Sequence, residues 1–288
     1  MSKSRDIYRR MKSVDSTKKI TRTMEMVATA KLAQAQGRVI RARPYSAELM
    51  DMIARLATPD LAESQPLLRQ PARIERAAVV LVTSNRGLCG AFNANLIRTA
   101  QAQLRELEEA GAEVEFHVYG NKGISYFRFR GVGMALTRND LGDPPAVDDA
   151  RSLIDDLAAR FVAGELDAVR LVFAEFRNMV STPPSVRQVL PVGVGEARKG
   201  PQPFYILDPS EEGILDHLLP LYVTNSTYSA LLETAAAEQA ARRTAMKSAT
   251  DNANDFLDNL RRTYNRARQA EITNQIAEII GGADALDG

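Results

Sequence analysis

The positions of proline and glycine most strongly limit what this chain can fold into. No proline precedes Pro44 or follows Pro220, and no glycine lies between Gly213 and Gly281. Most of both residue types fall between residues 59 and 213. Because these residues interrupt regular structure, the sequence predicts a helix at each end and a mixed domain between them. The predicted boundaries are 1–58 for the first helix, 72–207 for the domain and 208–288 for the second helix.

The C-terminal segment predicts a very long helix. Asp208 suits the N-cap, with Pro209 in the first turn and Glu211 three residues after the cap. Gly281 and Gly282 suit the end of the helix. Its length would be roughly 60–70 residues, or about 90–105 Å at the usual rise per residue. A helix of that length must extend beyond a domain of this size and find a partner.

Both terminal segments carry an apolar stripe at helical spacing, which predicts a long antiparallel coiled coil of the N- and C-terminal helices. The first stripe is Ile7, Met11, Val14, Ile20, Met24, Val27, Leu32, Ala35 and Val39, followed by Leu49, Ile53 and Leu56. The second is Leu215, Leu218, Tyr222, Ser229, Leu232, Ala236, Ala240, Met246, Ala249, Ala253, Leu257, Leu260, Tyr264 and Ala267. Pro44 is expected to bend or loosen the first helix without ending it. A bundle of folded-back helices is the alternative, although the turn residues it needs are missing.

The middle of the chain predicts a Rossmann-like α/β domain with a small, mostly parallel sheet. The apolar runs 77–82 and 169–176 are typical of strands buried on both faces. Residues 114–119 alternate, which predicts a strand with one wetter face and a half-exposed His117. Helices are expected around 91–109, 121–129 and 147–163. The fold class is therefore α/β, with the coiled coil added.

Charge is unevenly distributed along a chain whose formal net charge is only +1. Residues 1–43 contain twelve Lys and Arg residues against Asp6, Asp15 and Glu25. Such a basic arm predicts an acidic partner, which could be nucleic acid, an anionic membrane or an acidic protein surface. Cys89 is the only cysteine, so no internal disulfide can form. With no apolar run of membrane-spanning length and no secretion signal, we expect a cytoplasmic protein without membrane insertion.

No motif argues for catalysis or for a cofactor. The segment Ser84–Asn93 opens a helix after the first predicted strand, where a phosphate could bind, but it lacks both glycine-rich phosphate-binding spacings. We interpret it as a tight strand-to-helix turn. His117 and His217 are the only histidines, which disfavours a zinc site. The residues alone leave open a nucleotide-binding α/β protein, a basic coiled coil that binds nucleic acid and a protein-binding coiled coil.

Three stretches resemble a known family. They are Lys18–Lys31 with the later Arg43-Pro44-Tyr45, then Arg86–Gly90 with Asn93, and finally Glu238–Thr273 with Glu278-Ile279-Ile280. In this order and spacing they are similar to the γ subunit family of bacterial F-type ATP synthases. The resemblance implies a central rotor stalk that couples ion flow to ATP synthesis at other subunits and carries no catalytic residue or cofactor.

The same resemblance implies the partners and the location. A ring of α and β subunits would surround the coiled coil, and the ε subunit and the membrane c-ring would meet the globular domain. The chain would lie at the cytoplasmic face of the bacterial plasma membrane, as a peripheral protein that binds no nucleic acid.

Contact residues carry over by resemblance as well. Met24 corresponds to the part of the first helix that couples to β, and the basic residues beside it are Lys18, Lys19 and Arg22. Arg242, Arg268, Gln269 and Thr273 match family positions on the second helix that support coupling and meet loops of β. Gln275 stands where we expect the family to have Glu, so no charged contact is expected there. We also expect Lys18, Lys19 and Arg22 to lie opposite the alanine-rich face near 230–241. We expect no regulation through a cysteine pair.

Overall fold

A computed structural model of the chain describes residues 3–57, 61, 64–193 and 210–284. Its helices are α1 (Lys3–Leu56), α2 (Phe92–Glu109), α3 (Asn121–Phe129), α4 (Val147–Val162) and α5 (Glu211–Asp284). Its strands are β1 (Arg76–Val82), β2 (Glu113–Tyr119), β3 (Leu136–Arg138), β4 (Ala168–Ala174) and β5 (Pro184–Leu190). A short 3₁₀ helix spans Pro66–Leu68. The chain divides into two compact units, one formed by Thr29–Arg242 and the other by Met1–Ala28 with Arg243–Gly288.

The sheet belongs to the unit Thr29–Arg242, and its strand order is β3-β2-β1-β4-β5. The pairs β1–β2, β1–β4 and β2–β3 are parallel, while β4 and β5 form an antiparallel pair. Alternate residues of β1 enter different clusters: Ala78, Val80 and Val82 pack with α4 and α5, and Ala77, Val79 and Leu81 pack with α2 and α3. Covering both faces explains why β1 is a continuous apolar run.

The expectation of a wetter face on β2 was wrong. His117 is only 6% exposed and Tyr119 is fully buried, because α4 covers the face on which they lie. Arg160 of α4 forms two hydrogen bonds to the Glu115 carboxylate, of 2.6 and 2.9 Å, and Nε2 of His117 lies 3.5 Å from that carboxylate. Glu115, His117 and Arg160 thus pair with one another on a face that the residue types of β2 suggested would be wet.

Helix α1 continues through Pro44, which confirms that this proline does not end the helix. Helix α5 contains 74 residues, more than predicted. It begins at Glu211, where the Ser210 hydroxyl accepts a hydrogen bond from the Gly213 N–H at 3.1 Å. Ser210 is therefore the cap, while Asp208 and Pro209 lie outside the described residues. The predicted end at Gly281–Gly282 was wrong, since α5 runs on to Asp284; glycine weakens a helix without preventing one.

Helices α1 and α5 pack antiparallel within each unit. In the unit Thr29–Arg242, the Asn225 amide donates to the Ser46 hydroxyl at 2.7 Å, and Leu32 packs with Ala236 and Ala240. In the unit that holds both termini, the rings of Tyr8 and Tyr264 lie 5.9 Å apart. This antiparallel packing agrees with the predicted coiled coil.

The predicted stripe of α1 was wrong at two positions. Ile20 and Val27 are 60% and 54% exposed, whereas Thr21 and Ala28, one residue further along, are buried. The hydroxyls of Thr21 and Thr250 are 2.8 Å apart. Side-chain hydrophobicity therefore misplaced the seam of the helix pair here, because the seam uses small and hydroxyl-bearing residues.

Candidate functional site

A basic surface lies on α1 in the unit that holds both termini. Lys19 is 74% exposed and its ammonium is 2.9 Å from the Asp15 carboxylate, while Lys18 is 27% exposed and 3.6 Å from the same carboxylate. Hydrogen bonding to Lys19 lowers the pKa of Asp15. Arg22 is exposed as well. Lys18, Lys19 and Arg22 stand against two carboxylates on this stretch of α1, Asp15 and Glu25, so the stretch keeps a formal excess of one positive charge.

The residues opposite this basic surface differ from those expected. Thr21 lies among the basic residues and contacts Thr250 of α5, so their partner segment is around Thr250 and not the alanine-rich face near 230–241. Met24 is half-buried on the same helix. Met24, Lys18, Lys19 and Arg22 therefore lie in one short stretch of α1, and their role in coupling stays a prediction.

A second surface occupies the C-terminal part of α5 in the same unit. Arg268, Gln269, Thr273 and Gln275 are all exposed, and the Thr273 hydroxyl donates to the Gln269 carbonyl at 3.0 Å. Exposed isoleucines accompany them, and these were missed in the sequence: Ile272, Ile276, Ile279 and Ile280 are 47%, 52%, 71% and 57% exposed. Their position off the predicted stripe, which stops at Ala267, was the available signal. This part of α5 thus offers both polar and apolar groups to a partner.

Arg242 does not lie with the other predicted contact residues. It belongs to the unit Thr29–Arg242, and its side chain is only 9% exposed. Its Nη2 donates to the Glu238 carboxylate at 2.6 Å and to the Gly87 carbonyl at 3.4 Å. Arg242 therefore faces the loop after β1 in this chain.

The loop between β1 and α2 is held together by its own side chains. The Ser84 backbone N–H donates to Oδ1 of Asn93 at 3.0 Å, and the Ser84 hydroxyl donates to the Arg86 carbonyl at 2.6 Å. Nδ2 of Asn93 is 3.2 Å from the Cys89 sulfur, and Cys89 is buried. Burial raises the pKa of the Cys89 thiol. These contacts describe a tight turn, in agreement with the interpretation from its sequence.

A cavity of about 230 Å³ opens beside the carboxyl end of β1. Open α/β sheets often bind ligands at this edge. However, two of its polar lining groups already have partners: the Thr83 hydroxyl donates to the Tyr119 carbonyl, and Asp143 is paired with Lys31 at 2.8 Å. Among the described residues, no cluster of His, Cys, Asp and Glu is arranged to hold a metal ion. The helices of the described part of the chain include none long and apolar enough to cross a membrane.

Known proteins resemble this chain over nearly its whole length. A family model described as ATP synthase matches residues 3–286. The ATP synthase gamma chain of Gemmatimonas aurantiaca is 51% identical over 290 residues, which cover 100% of both chains. That of Frankia casuarinae is 43% identical and covers 98% of this chain and 97% of its own.

Solved structures share the fold. A chain in the cryo-EM structure of the Euglena gracilis mitochondrial ATP synthase rotor has a TM-score of 0.64 at 19% identity, and covers 93% of this chain and 98% of its own. A chain from the Tetrahymena thermophila mitochondrial ATP synthase, central stalk and c-ring, gives 0.57 at 21% identity, and covers 80% of this chain and 99% of its own. With a family match that spans almost all of its residues, this chain belongs to the ATP synthase gamma chain family.

Proposed function

We propose that this chain is the rotating central stalk of an F-type ATP synthase, and that it couples transmembrane ion flow to ATP synthesis and hydrolysis. The observation that carries the proposal is the 51% identity to a bacterial ATP synthase gamma chain over the whole length of both proteins. In this role the chain is not catalytic, because the reaction takes place on the β subunits. It needs no cofactor of its own.

The proposed partners follow the two kinds of structure in the chain. A ring of α and β subunits surrounds the helix pair, and the ε subunit and the membrane c-ring bind the α/β domain. Rotation presents each β subunit with a different side of the helix pair in turn. If the helix pair contacts one conformation of a β subunit more favourably than another, the population of that conformation rises. The complex lies at the cytoplasmic face of the bacterial plasma membrane, where this chain is a peripheral subunit.

The first test is purification of the tagged full chain from its own cells. We expect α, β and ε to co-purify in a complex that hydrolyses ATP, while the chain alone neither hydrolyses nor tightly binds ATP. Recovery of the chain without these subunits would contradict the proposal. Affinity for nucleic acid that falls steeply with salt would favour the nucleic-acid alternative. Tight ATP binding at Gly87–Asn93 would favour the nucleotide-binding alternative.

In this proposal Lys18, Lys19 and Arg22 act on the surrounding ring. They flank Met24, and they keep an excess of positive charge after Asp15 is paired. Arg268, Gln269 and Thr273 form the second contact surface. Each exposed ion pair contributes only about 0–1 kcal/mol, so single substitutions should have mild effects. The effects of several weak contacts at one moving interface add up to a larger effect on coupling.

Reversal of all three charges tests this role. We expect Lys18→Glu, Lys19→Glu and Arg22→Glu together to leave assembly intact but to reduce ion pumping for each ATP hydrolysed. Hydrolysis and pumping are measured in the same membranes. The matched control reverses three exposed arginines of the α/β domain, Arg98, Arg105 and Arg151. Normal coupling in the first triple variant, with normal assembly, would remove the basic surface from the proposal.

A further inference from the structure

We propose that Arg242 is a positioning residue that fastens α5 to the loop between β1 and α2, and that it contributes to coupling from inside the subunit. The fastening follows from the contacts of Arg242, while its use in coupling rests on the proposed function. This role replaces the direct contact with β that the resemblance implied for Arg242.

Arg242 is almost completely buried, and its hydrogen bonds are to groups of the same chain. With a side chain only 9% exposed, its guanidinium offers almost no surface to a neighbouring subunit. The Nη2 nitrogen carries two hydrogens, and two acceptors lie in reach: Oε1 of Glu238 at 2.6 Å and the Gly87 carbonyl at 3.4 Å. The planar guanidinium fixes the directions of its N–H groups. Arg242 therefore links one turn of α5 to the loop.

The loop between β1 and α2 contains a residue in an unfavourable backbone conformation. Leu88 has a φ of +64°, a left-handed conformation that is unfavourable for a residue other than glycine. The Leu88 side chain is 57% exposed, so its own burial does little to hold it in place. Ser84 and Asn93 hold the inner side of the loop, and Arg242 holds Gly87, next to the strained residue.

Glu238 completes the arrangement. Its side chain is 20% exposed, and burial raises the pKa of its carboxyl group while Arg242 opposes that rise. The carboxylate and the guanidinium therefore stabilise each other's charge. Because Glu238 is four residues before Arg242 on α5, it orients the guanidinium toward the loop. Glu238 thus acts on the loop through Arg242.

The loop that Arg242 contacts lies at the end of the central strand of the sheet. The loop follows β1, the strand that pairs with both β2 and β4 in the middle of the sheet. A bond from α5 to this loop therefore joins the helix to the centre of the sheet. In a rotating stalk, such a link would limit how far the helix can twist against the sheet when it is under load.

Cys89 allows the positioning to be measured. It is the only cysteine in the chain, it is 2% exposed, and it lies two residues after Gly87. We would label the folded full chain with a thiol reagent over a range of pH. The labelling rate stops rising once the Cys89 thiol is fully ionised, and we would compare this plateau rate between variants. The plateau separates access to the thiol from any change in its pKa. We expect Arg242→Gln to raise the plateau rate at least about tenfold, or about 1.4 kcal/mol, because the loop loses its hydrogen bond to a charged donor.

Three further variants sharpen the test. Lys247→Gln removes an exposed cation from the same helix and should leave labelling unchanged. Arg242→Lys, which keeps the charge but loses the planar geometry, should give an intermediate rate. Glu238→Gln should also speed labelling, but should add little in the Arg242→Gln background, because it acts through Arg242. Additive effects of Glu238→Gln and Arg242→Gln would overturn the proposed chain of action.

Local opening is separated from general destabilisation by hydrogen exchange of the β1 amides. Faster Cys89 labelling with unchanged β1 exchange supports the proposal. An unchanged labelling rate, or labelling and β1 exchange that rise together, overturns it. In assembled membranes we expect Arg242→Gln to lower pumping per ATP hydrolysed. Faster labelling with normal coupling would overturn the coupling role and leave the positioning intact. Failure of the unmodified chain to assemble with α and β would instead contradict the proposed function.

Discussion

At the scale of single residues, two glutamates show how burial and pairing shift a carboxyl pKa in opposite directions. Glu233 of α5 is 8% exposed, and burial raises its pKa despite the Arg187 guanidinium 3.8 Å away. Glu115 of β2 is 34% exposed, and its hydrogen bonds to Arg160 lower its pKa. The two groups therefore contribute to stability with opposite dependence on pH.

We expect Glu233→Gln to become more favourable relative to the wild type as pH rises. A raised folded pKa means that the contribution of Glu233 is fully present below its unfolded value of 4.5 and is lost as pH rises through the folded value. For Glu115→Gln the dependence on pH is reversed. Because the folded pKa of Glu115 is lowered, Glu115 stabilises the folded state above 4.5, and that contribution is lost as pH falls. Urea unfolding of both variants and of the wild type between about pH 3 and pH 8 measures this, because the Glu115 contribution is lost below 4.5. Parallel pH profiles for the two variants would contradict the assignment.

Tyr119 leads to a second prediction at this scale. Its hydroxyl is buried and has no hydrogen-bond partner among the described residues, and burial raises its pKa. Removing an unsatisfied buried hydroxyl recovers a desolvation cost of about 1–3 kcal/mol. We therefore expect Tyr119→Phe to raise the free energy of unfolding. Tyr126→Phe is the matched control, since its hydroxyl accepts from Gln101 at 3.4 Å, and a loss of stability is expected there. A destabilised Tyr119→Phe variant would mean that the hydroxyl has a partner in solution.

At the scale of elements, α1 contains a residue that weakens it. Pro44 has no N–H to donate to the Ile40 carbonyl, and a proline inside a helix costs about 3 kcal/mol. We expect Pro44→Ala to raise the free energy of unfolding by up to about that amount. Gly37→Ala is a useful comparison, because its added Cβ meets nothing within 4 Å and a gain of about 1 kcal/mol is expected.

Stability is measured by urea unfolding of the full chain. A loss of stability in Pro44→Ala would show that the local geometry at this proline is needed, for example by the nearby contact between Ser46 and Asn225.

The elements themselves were largely predictable. Proline and glycine placement indicated both long helices, and apolar runs indicated β1 and β4. What failed depended on tertiary contacts: α4 covers His117 and Tyr119, and Thr21 and Ala28 replace Ile20 and Val27 in the seam. A sequence pattern ranks residues by hydrophobicity, whereas a close helix pair selects small side chains that fit.

At the scale of the whole molecule, burial differs between the two units. The unit Thr29–Arg242 holds the three clusters of buried residues. The buried residues described in the other unit are Thr21, Ala28, Met246, Thr250, Ala253 and Leu257. Because local stability follows buried apolar contact, we expect the amides of residues 3–28 and 243–284 to exchange faster than those of the sheet.

Hydrogen exchange of the isolated full chain measures this difference. In the assembled complex, we expect protection of residues 3–28 and 243–284 to rise, because surrounding subunits would cover them. Equal protection of both units in the isolated chain would contradict the first expectation. Unchanged protection on assembly would count against enclosure of the helix pair.

The candidate site was less predictable than the fold. Lys19, Arg22, Arg268, Gln269 and Thr273 are exposed and Lys18 is half-buried, and contact of these residues with other subunits stays a prediction. Arg242 points inward, and no periodic pattern could show this because the Gly87 carbonyl that it binds is 155 residues away in the chain. Backbone acceptors leave no mark in a sequence.

The contact between Thr21 and Thr250 also constrains how the protein is made on the ribosome. These residues are 229 positions apart, so the N-terminal segment leaves the ribosome long before its partner does. At about 5–20 residues per second, the delay is roughly 10–50 s. During that time the seam of residues 3–28 has no partner from its own chain. The fully buried positions of this seam are Thr21 and Ala28, whose side chains are small, so no large and fully buried apolar side chain of the segment waits for α5 to cover it.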